Sequence, residues 1–277
     1  MAGRIDLHIH TTHSDGINSP EEVLEIVRKK RLAAFAICDH DSIGGYMELA
    51  GIIKKDDPEL VPGVELSAGQ GGEDIHILGY YFDSRSEVLR EALERFRNNR
   101  NRRGTLMLKE LKKLGIDIPM ELVQKIAGSS AIGRPHIADA MFKTGAIKNY
   151  EIAFRKYIGI GGPAYVPKVN MNPKETIALI HEAGGLAFLA HPGVANAGRF
   201  IDEFSGYDLD GIEVYHPLHN NRQKKHYAEK AERKSLLMSG GSDCHGRHGH
   251  YGQIGSEPVP YEFLGLMKRK LKQRGIN

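Results

Sequence analysis

The amino-acid sequence predicts an α/β fold, a barrel of about seven strands interrupted by an all-helical insertion. Three observations predict it. Short apolar runs of strand length alternate with segments that carry helix start signals. Histidine and acidic residues recur where those runs end, the edge at which α/β barrels assemble their sites. Between residues 86 and 157 the alternation stops and helical periodicity alone continues. A chain of 277 residues buries a large core, and a barrel with one insertion suits that length better than several small domains. The barrel reads as 1–85 and 158–277, and the helical cap as 86–157.

In Arg4 to Asp15 (RIDLHIHTTHSD), Ile5, Leu7 and Ile9 alternate with Asp6, His8 and His10. An extended segment sends the apolar set into a core and both imidazoles to the other side, while Asp15 offers an oxygen beyond the strand end. Ser19-Pro20-Glu21-Glu22 has an N-cap, a proline at the first helical position and a capping-box glutamate, and predicts a helix to about Lys30. Ala34 to Cys38 is a buried parallel strand ending in Asp39-His40-Asp41. Gly44 to Lys54 reads as a helix, Leu60 to Leu66 as the third strand with Glu65, and Ile75 to Tyr80 as another with His76. A lone histidine in such a run is ordinarily a satisfied core residue.

Within the cap, helical spacing covers Val88 to Phe96, Leu108 to Leu114, Met120 to Ala127, Arg134 to Thr144 and Asn149 to Tyr157. Its run Arg95, Arg97, Arg100, Arg102, Arg103 reads first as a solvated helix face and second as a phosphate-contacting surface. Asn172-Pro173-Lys174-Glu175 repeats the capping signature, and its helix leads to strand Leu186 to Ala190, ending in His191. A helix around Arg199 to Phe204 precedes strand Gly211 to Tyr215, which ends in His216-Pro217 and His219. Helix Asn221 to Arg233 then precedes strand Leu236 to Gly240, ending in Asp243 and His245. Tyr261 to Lys272 is the last helix. With each strand tied to the next by a helix, barrel closure is the economical topology.

Composition narrows the function. The chain is 26% charged and 40% hydrophobic, which excludes disorder, and no apolar run reaches membrane-spanning length. Cys38 and Cys244 make no disulfide framework, and the start leaves no room for a removable signal; a cytoplasmic location is expected. The net charge of +3 does not demand nucleic acid but suits phosphate-bearing substrates. Fourteen histidines point to metal chemistry. Because His8, His10, His40, Glu65, His76, His191, Asp243 and His245 all fall at strand ends, a polynuclear metal site is expected.

The motifs HxHTTHSDG, CDHD, PGVE, HILGY, AHPG and SDCH, in that order, resemble those of the PHP (polymerase and histidinol phosphatase) family. The likeness covers about Arg4 to Tyr81 and Pro167 to Gly255, and GRPHIADA at Gly133 to Ala140 is similar to the branch acting on nucleotide phosphates and short RNA. The resemblance implies a distorted (β/α)7 barrel holding two or three divalent ions, with manganese, zinc and iron(II) all suited to mixed imidazole and carboxylate ligands. By motif, His8, His10, Glu65 and Asp243 would hold one ion. Glu65 would bridge to a second held by His76 and His191. Asp15, His40 and His245 would hold the third, although some relatives carry histidine at the position of Asp15.

The expected activity is a metal-dependent phosphoesterase. Its substrates would be nucleoside monophosphates, 3',5'-bisphosphates or short oligoribonucleotide ends, attacked by a metal-bridged hydroxide. Arg134 and His136 open a predicted helix, where N–H groups and the dipole favour a phosphate that a guanidinium grips bidentately. Lys168 and His219 are further substrate candidates, and His248 and His250 flank a glycine-rich loop. Asp39 and Asp41 are expected to orient ligands, with His13, His181 and His226 structural or surface residues. Two other classes compete. An amidohydrolase or deaminase also opens with HxH but bridges its metals with a modified lysine, absent from these middle strands. A non-catalytic RNA-binding metal module would use the arginine run instead.

Overall fold

The computed structural model describes residues 3–169, 171–194, 196–246 and 252–276. It divides into two compact units, Met1–Glu91 with Asn170–Asn277, and Ala92–Val169. In the first unit β1 (Arg4–Ile9) leads to α1 (Pro20–Lys30), whose Ser19 hydroxyl accepts from the Glu22 N–H while the Glu22 carboxylate accepts from Ser19 N–H. That reciprocal cap and the buried stripe Val23, Leu24 and Val27 fix the helix against the sheet. β2 (Ala34–Ile37), α2 (Gly44–Ile52) and β3 (Glu59–Val61) follow, then β4 (Gly63–Gln70) and β5 (Glu73–Tyr80). After the second unit come α7 (Pro173–Glu182), β6 (Leu186–Leu189), a 3-10 turn, α8 (Ile201–Ser205), β7 (Gly211–Tyr215), α9 (Asn221–Arg233), β8 (Leu237–Gly240), β9 (Val259–Pro260) and α10 (Glu262–Gln273).

Among the described residues the strands form two sheets, β3-β2-β1-β9 and β4-β5-β6-β7-β8, so no hydrogen-bonded ring closes into a barrel. Single parallel bridges, Ile9 with Cys244 and His40 with Glu65, run between chain segments at the strand ends. The single strand expected over Leu60 to Leu66 is two strands in different sheets, broken at Pro62, which has no N–H to continue a ladder. The expected helix between every pair of strands also fails at β4 and β5. They pair antiparallel from Gly63–Tyr80 to Gln70–Glu73 around Gly71 and Gly72, both at positive φ (58° and 85°), as a tight primed hairpin turn requires.

The apolar set of β1 does not share one core. Ile5 and Leu7 pack with Tyr80 and Phe188, whereas Ile9 packs with Val23, Val27 and Leu49 from α1 and α2. The register shifts by one residue between Asp6 and Ile9, from pairing with Phe35 to pairing with Ile37. A bulge there reverses the pleat and re-aims the side chains at the strand end.

The second unit has its own core. It contains most of α3 (Glu87–Lys113), with α4 (Met120–Ala127), α5 (Arg134–Lys143), α6 (Tyr150–Ala153) and a π-helical turn at Phe154–Ile158. Gly104 lets α3 approach Ile132, whose Cγ2 lies 2.6 Å from where a Cβ would stand. Residues 158–169 join this unit through Ile158, Ala164 and Val166. In the arginine run, Arg103 is buried and donates through Nε to the Val166 carbonyl at 2.6 Å, while Arg97 and Arg102 are exposed.

Candidate metal centre

The end of β1, the segments just after β2, β6 and β8, and the interiors of β4 and β5 bring one set of donors together. His8 Nε2 and His10 Nε2 lie 3.1 Å apart, and Glu65 Oε2 is 3.5 Å from the first and 3.4 Å from the second. Asp243 Oδ1 is 3.4 Å from His8 Nε2 and 3.1 Å from His10 Nε2. Ligand bonds of about 2.0–2.1 Å in a tetrahedron set donor atoms roughly 3.3–3.4 Å apart, so these spacings fit a small divalent ion.

Glu65 joins this group to the next. Its Oε1 is 2.8 Å from His76 Nδ1 and 3.0 Å from His191 Nε2, and its Oε2 is 2.8 Å from His40 Nδ1. A third group gathers around Asp15 Oδ1, with His245 Nε2 at 3.3 Å, His40 Nε2 at 3.9 Å and His10 Nδ1 at 4.0 Å. One ligand atom from each of His10, Asp15, His40 and His245 lies within 4.8 Å of all the others. All nine side chains expected from sequence as ligands therefore converge. Two of these donors, His191 (27°) and Asp243 (49°), and the neighbouring Asp41 (52°) sit at positive φ, a local strain of about 1–3 kcal/mol each that surrounding structure has to hold.

Electrostatics prepares the donors for a cation. Burial alone would raise the Glu65 carboxyl, but His40, His76 and His8 outweigh it and hold Glu65 well below the usual range. Asp15 and Asp243 are likewise held well below theirs, against burial, by His40 and His245 for the first and by His8 and His245 for the second. Burial and the neighbouring His245 push His10 down to about 3, so its ring is neutral. His245 moves the other way, up to about 9, because Asp15 and Asp243 overcome the burial that lowers it. Ionised carboxylates and imidazoles whose protons a cation replaces are the donor set divalent metals select.

Behind the donors stand residues that sequence reading passed over. Glu213, fully buried on β7, places Oε1 2.9 Å from His8 Nδ1, and its Oε2 accepts from His191 N–H at 2.7 Å. His216 is equally buried, and its Nε2 lies 3.2 Å from Asp243 Oδ2 while its Nδ1 accepts from Leu218 N–H at 3.2 Å. Both were visible as a carboxylate and a histidine in the run GIEVYH; the missing signal was which strand faces β1. Asp39 accepts from Thr11 N–H, Thr11 Oγ1 and Ser14 Oγ, bracing the loop after β1, and Asp41 accepts from Ser67 N–H. His13 pairs with Glu48 and His181 with Asp210, both at 2.8 Å, away from the cluster.

The substrate candidates divide differently. His219 donates from Nδ1 to the Val214 carbonyl of β7 and accepts at Nε2 from Gly193 N–H in the loop after β6, both at 2.9 Å, so both of its ring nitrogens have protein partners. Arg134, His136 and Lys168 belong to the helical unit. His136 is buried and its Nδ1 accepts from Gly133 N–H at 3.1 Å, capping α5. The guanidinium of Arg134 lies 5.9 Å from the centre of the Tyr165 ring, which also carries Arg103 at 5.5 Å. His248 and His250 lie outside the described residues.

A family model described as the PHP domain matches residues 6–160, over half of the chain. The chain belongs to the PHP family. This PHP protein is 32% identical over 267 residues to the 5'-3' exoribonuclease Rnm of Escherichia coli, spanning 94% of this chain and 87% of that one. It is also 32% identical over 247 residues to the 3',5'-nucleoside bisphosphate phosphatase of Chromobacterium violaceum, spanning 87% of each. A solved structure from Bifidobacterium adolescentis, named as a candidate metal-dependent phosphoesterase, matches with a TM-score of 0.88 at 29% identity, over 100% of this chain and 98% of the other. The PHP chain is thus a metal-dependent phosphoesterase, and the non-catalytic reading falls away. Among the described residues no helix is long and apolar enough to cross a membrane.

Proposed function

We propose that this phosphoesterase hydrolyses phosphate esters of nucleotides: nucleoside monophosphates, nucleoside 3',5'-bisphosphates or the ends of short oligoribonucleotides. The observation that carries the reading is the Glu65 carboxylate, in reach of five imidazoles, His8 and His10 and His40 through one oxygen and His76 and His191 through the other. A carboxylate so placed would space two cation sites and offset their charge. His8, His10, Glu65 and Asp243 would hold one ion, Glu65, His76 and His191 a second, and Asp15, His40 and His245 a third. Divalent ions there supply Lewis acidity toward a phosphoryl oxygen and acidify water enough to make a nucleophile near neutral pH.

The chain itself contributes position and charge. Arg134, in the first turn of α5, is proposed to grip a phosphate oxygen pair, since a planar guanidinium and a helix N-terminus both favour that anion. An amidohydrolase bridges its metals with a modified lysine on a middle strand, whereas β4 and β5 carry Glu65 and His76 and no lysine, which disfavours cyclic-amide or deaminase chemistry. The two sheets are read as a distorted seven-stranded barrel, β1, β2, β4, β5, β6, β7 and β8 in ring order. The support is that the bridges Ile9–Cys244 and His40–Glu65 join β1 to the segment after β8 and the segment after β2 to β4.

The reading is tested by phosphate release from the metal-reconstituted protein with nucleoside monophosphates, 3',5'-bisphosphates, short RNAs and histidinol phosphate. Release from one or more of the nucleotide substrates is expected. Release from histidinol phosphate alone would overturn the substrate class.

A further inference from the structure

β7 supplies no ligand to the metal groups, yet its inward residue Glu213 is fully buried and carries a charge. Burying a carboxylate is costly unless hydrogen bonds and partners offset it. Its partners are specific. Oε1 meets His8 Nδ1 at 2.9 Å, and Oε2 accepts from the backbone N–H of His191 at 2.7 Å. One residue therefore touches a donor side chain of the first metal group and the main chain that carries a donor of the second.

The chemistry of that contact decides the protonation of His8. A carboxylate only accepts, so the His8 nitrogen facing it must carry the hydrogen. Nδ1–H then points to Glu213, and Nε2, which faces His10, Glu65 and Asp243, is the nitrogen left for a metal to take. His191 N–H is a backbone donor and cannot change role. Glu213 sits in the regular part of the β7 ladder, paired with Ser239, and the register shifts only beyond it, where Tyr215 pairs with Gly240.

We propose that Glu213 is a positioning residue for the metal centre: it locks His8 in the tautomer that ligates through Nε2 and ties the His8 donor to the His191 loop. The inference builds on the metal assignment but not on which phosphate ester is cleaved. It also predicts how an isosteric amide fails. In Glu213→Gln the side-chain oxygen is held by the obligate donor His191 N–H, which turns the NH2 toward His8 Nδ1. His8 must then accept at Nδ1 and carry its hydrogen on Nε2, where it blocks the ligand position.

The test uses zinc, which is diamagnetic, and the full chain. In the zinc-loaded wild type, long-range 1H–15N NMR of the histidines is expected to show a protonated Nδ1 and a metal-shifted Nε2 for His8; a metal-shifted Nδ1 overturns the proposal without any substitution. In Glu213→Gln, chelator competition is expected to show zinc bound 10- to 100-fold more weakly at the His8 group, as for other outer partners of ligating histidines. Circular dichroism should remain that of the wild type. A folded Gln variant with wild-type zinc affinity and an unchanged His8 tautomer refutes the role. These readouts do not involve turnover, so failure of the nucleotide screen leaves them standing.

Discussion

Replacing Glu65 by glutamine changes one oxygen for an NH2 in a side chain that is 1% exposed. The oxygen removed is in either orientation one that faces imidazoles: Oε2 with His40 at 2.8 Å, His10 at 3.4 Å and His8 at 3.5 Å, or Oε1 with His76 at 2.8 Å and His191 at 3.0 Å. Removing one partner of a buried charge pair costs about 3–5 kcal/mol. At roughly 1.4 kcal/mol per tenfold, the affinity of the affected metal group should fall by about two to four decades. Shape is nearly conserved, so the fold should survive. Metal content after dialysis, chelator competition, circular dichroism and phosphate release would be compared with the wild type. A well-folded Glu65→Gln protein that keeps its full metal content and substantial turnover would remove Glu65 as the bridge and the paired-ion mechanism with it.

Three other predictions follow from the same geometry. His245→Ala should remove one metal equivalent, that of the Asp15 group, and lower turnover while the other ions stay bound; elemental analysis showing no loss would take His245 out of the ligand set. Arg134→Ala should leave metal content unchanged and reduce kcat/KM by about 10- to 1,000-fold, with only partial recovery in Arg134→Lys, whose ammonium restores charge but not the planar fork. Wild-type kinetics in the alanine variant would confine Arg134 to a structural part. The pH dependence has a defined sign. In metal-free protein His245 is raised from 6.5 to about 9, so its stabilising contribution is complete below 6.5 and is lost as pH rises through 9. A metal replaces that proton, so metal binding should release protons and strengthen with pH across this window. Calorimetry in buffers of different ionisation enthalpy at pH 7.5 would reveal the release, and its absence would contradict the coupling.

Local signals carried much of this protein in the sequence. The caps of α1 and α7 are chemistry among neighbouring residues, and the structure finds Ser19 and Asn172 each accepting from the N–H three residues on. The strand ends announced the donors because a run such as AFAIC followed by DHD puts apolar residues and ligands in one order whatever the fold. Tertiary structure decided what pairing alone fixes. Pro62 splits a run that reads as one strand, and the hairpin at Gly71 and Gly72 makes β4 and β5 antiparallel. The bulge in β1 sends Ile9 into a different core from Ile5 and Leu7. Glu213 gains its meaning from His8, 205 residues earlier. No period or spacing encodes that distance: the two meet only because separate strands deliver them to one buried place, where an unpaired charge is too costly to leave unanswered.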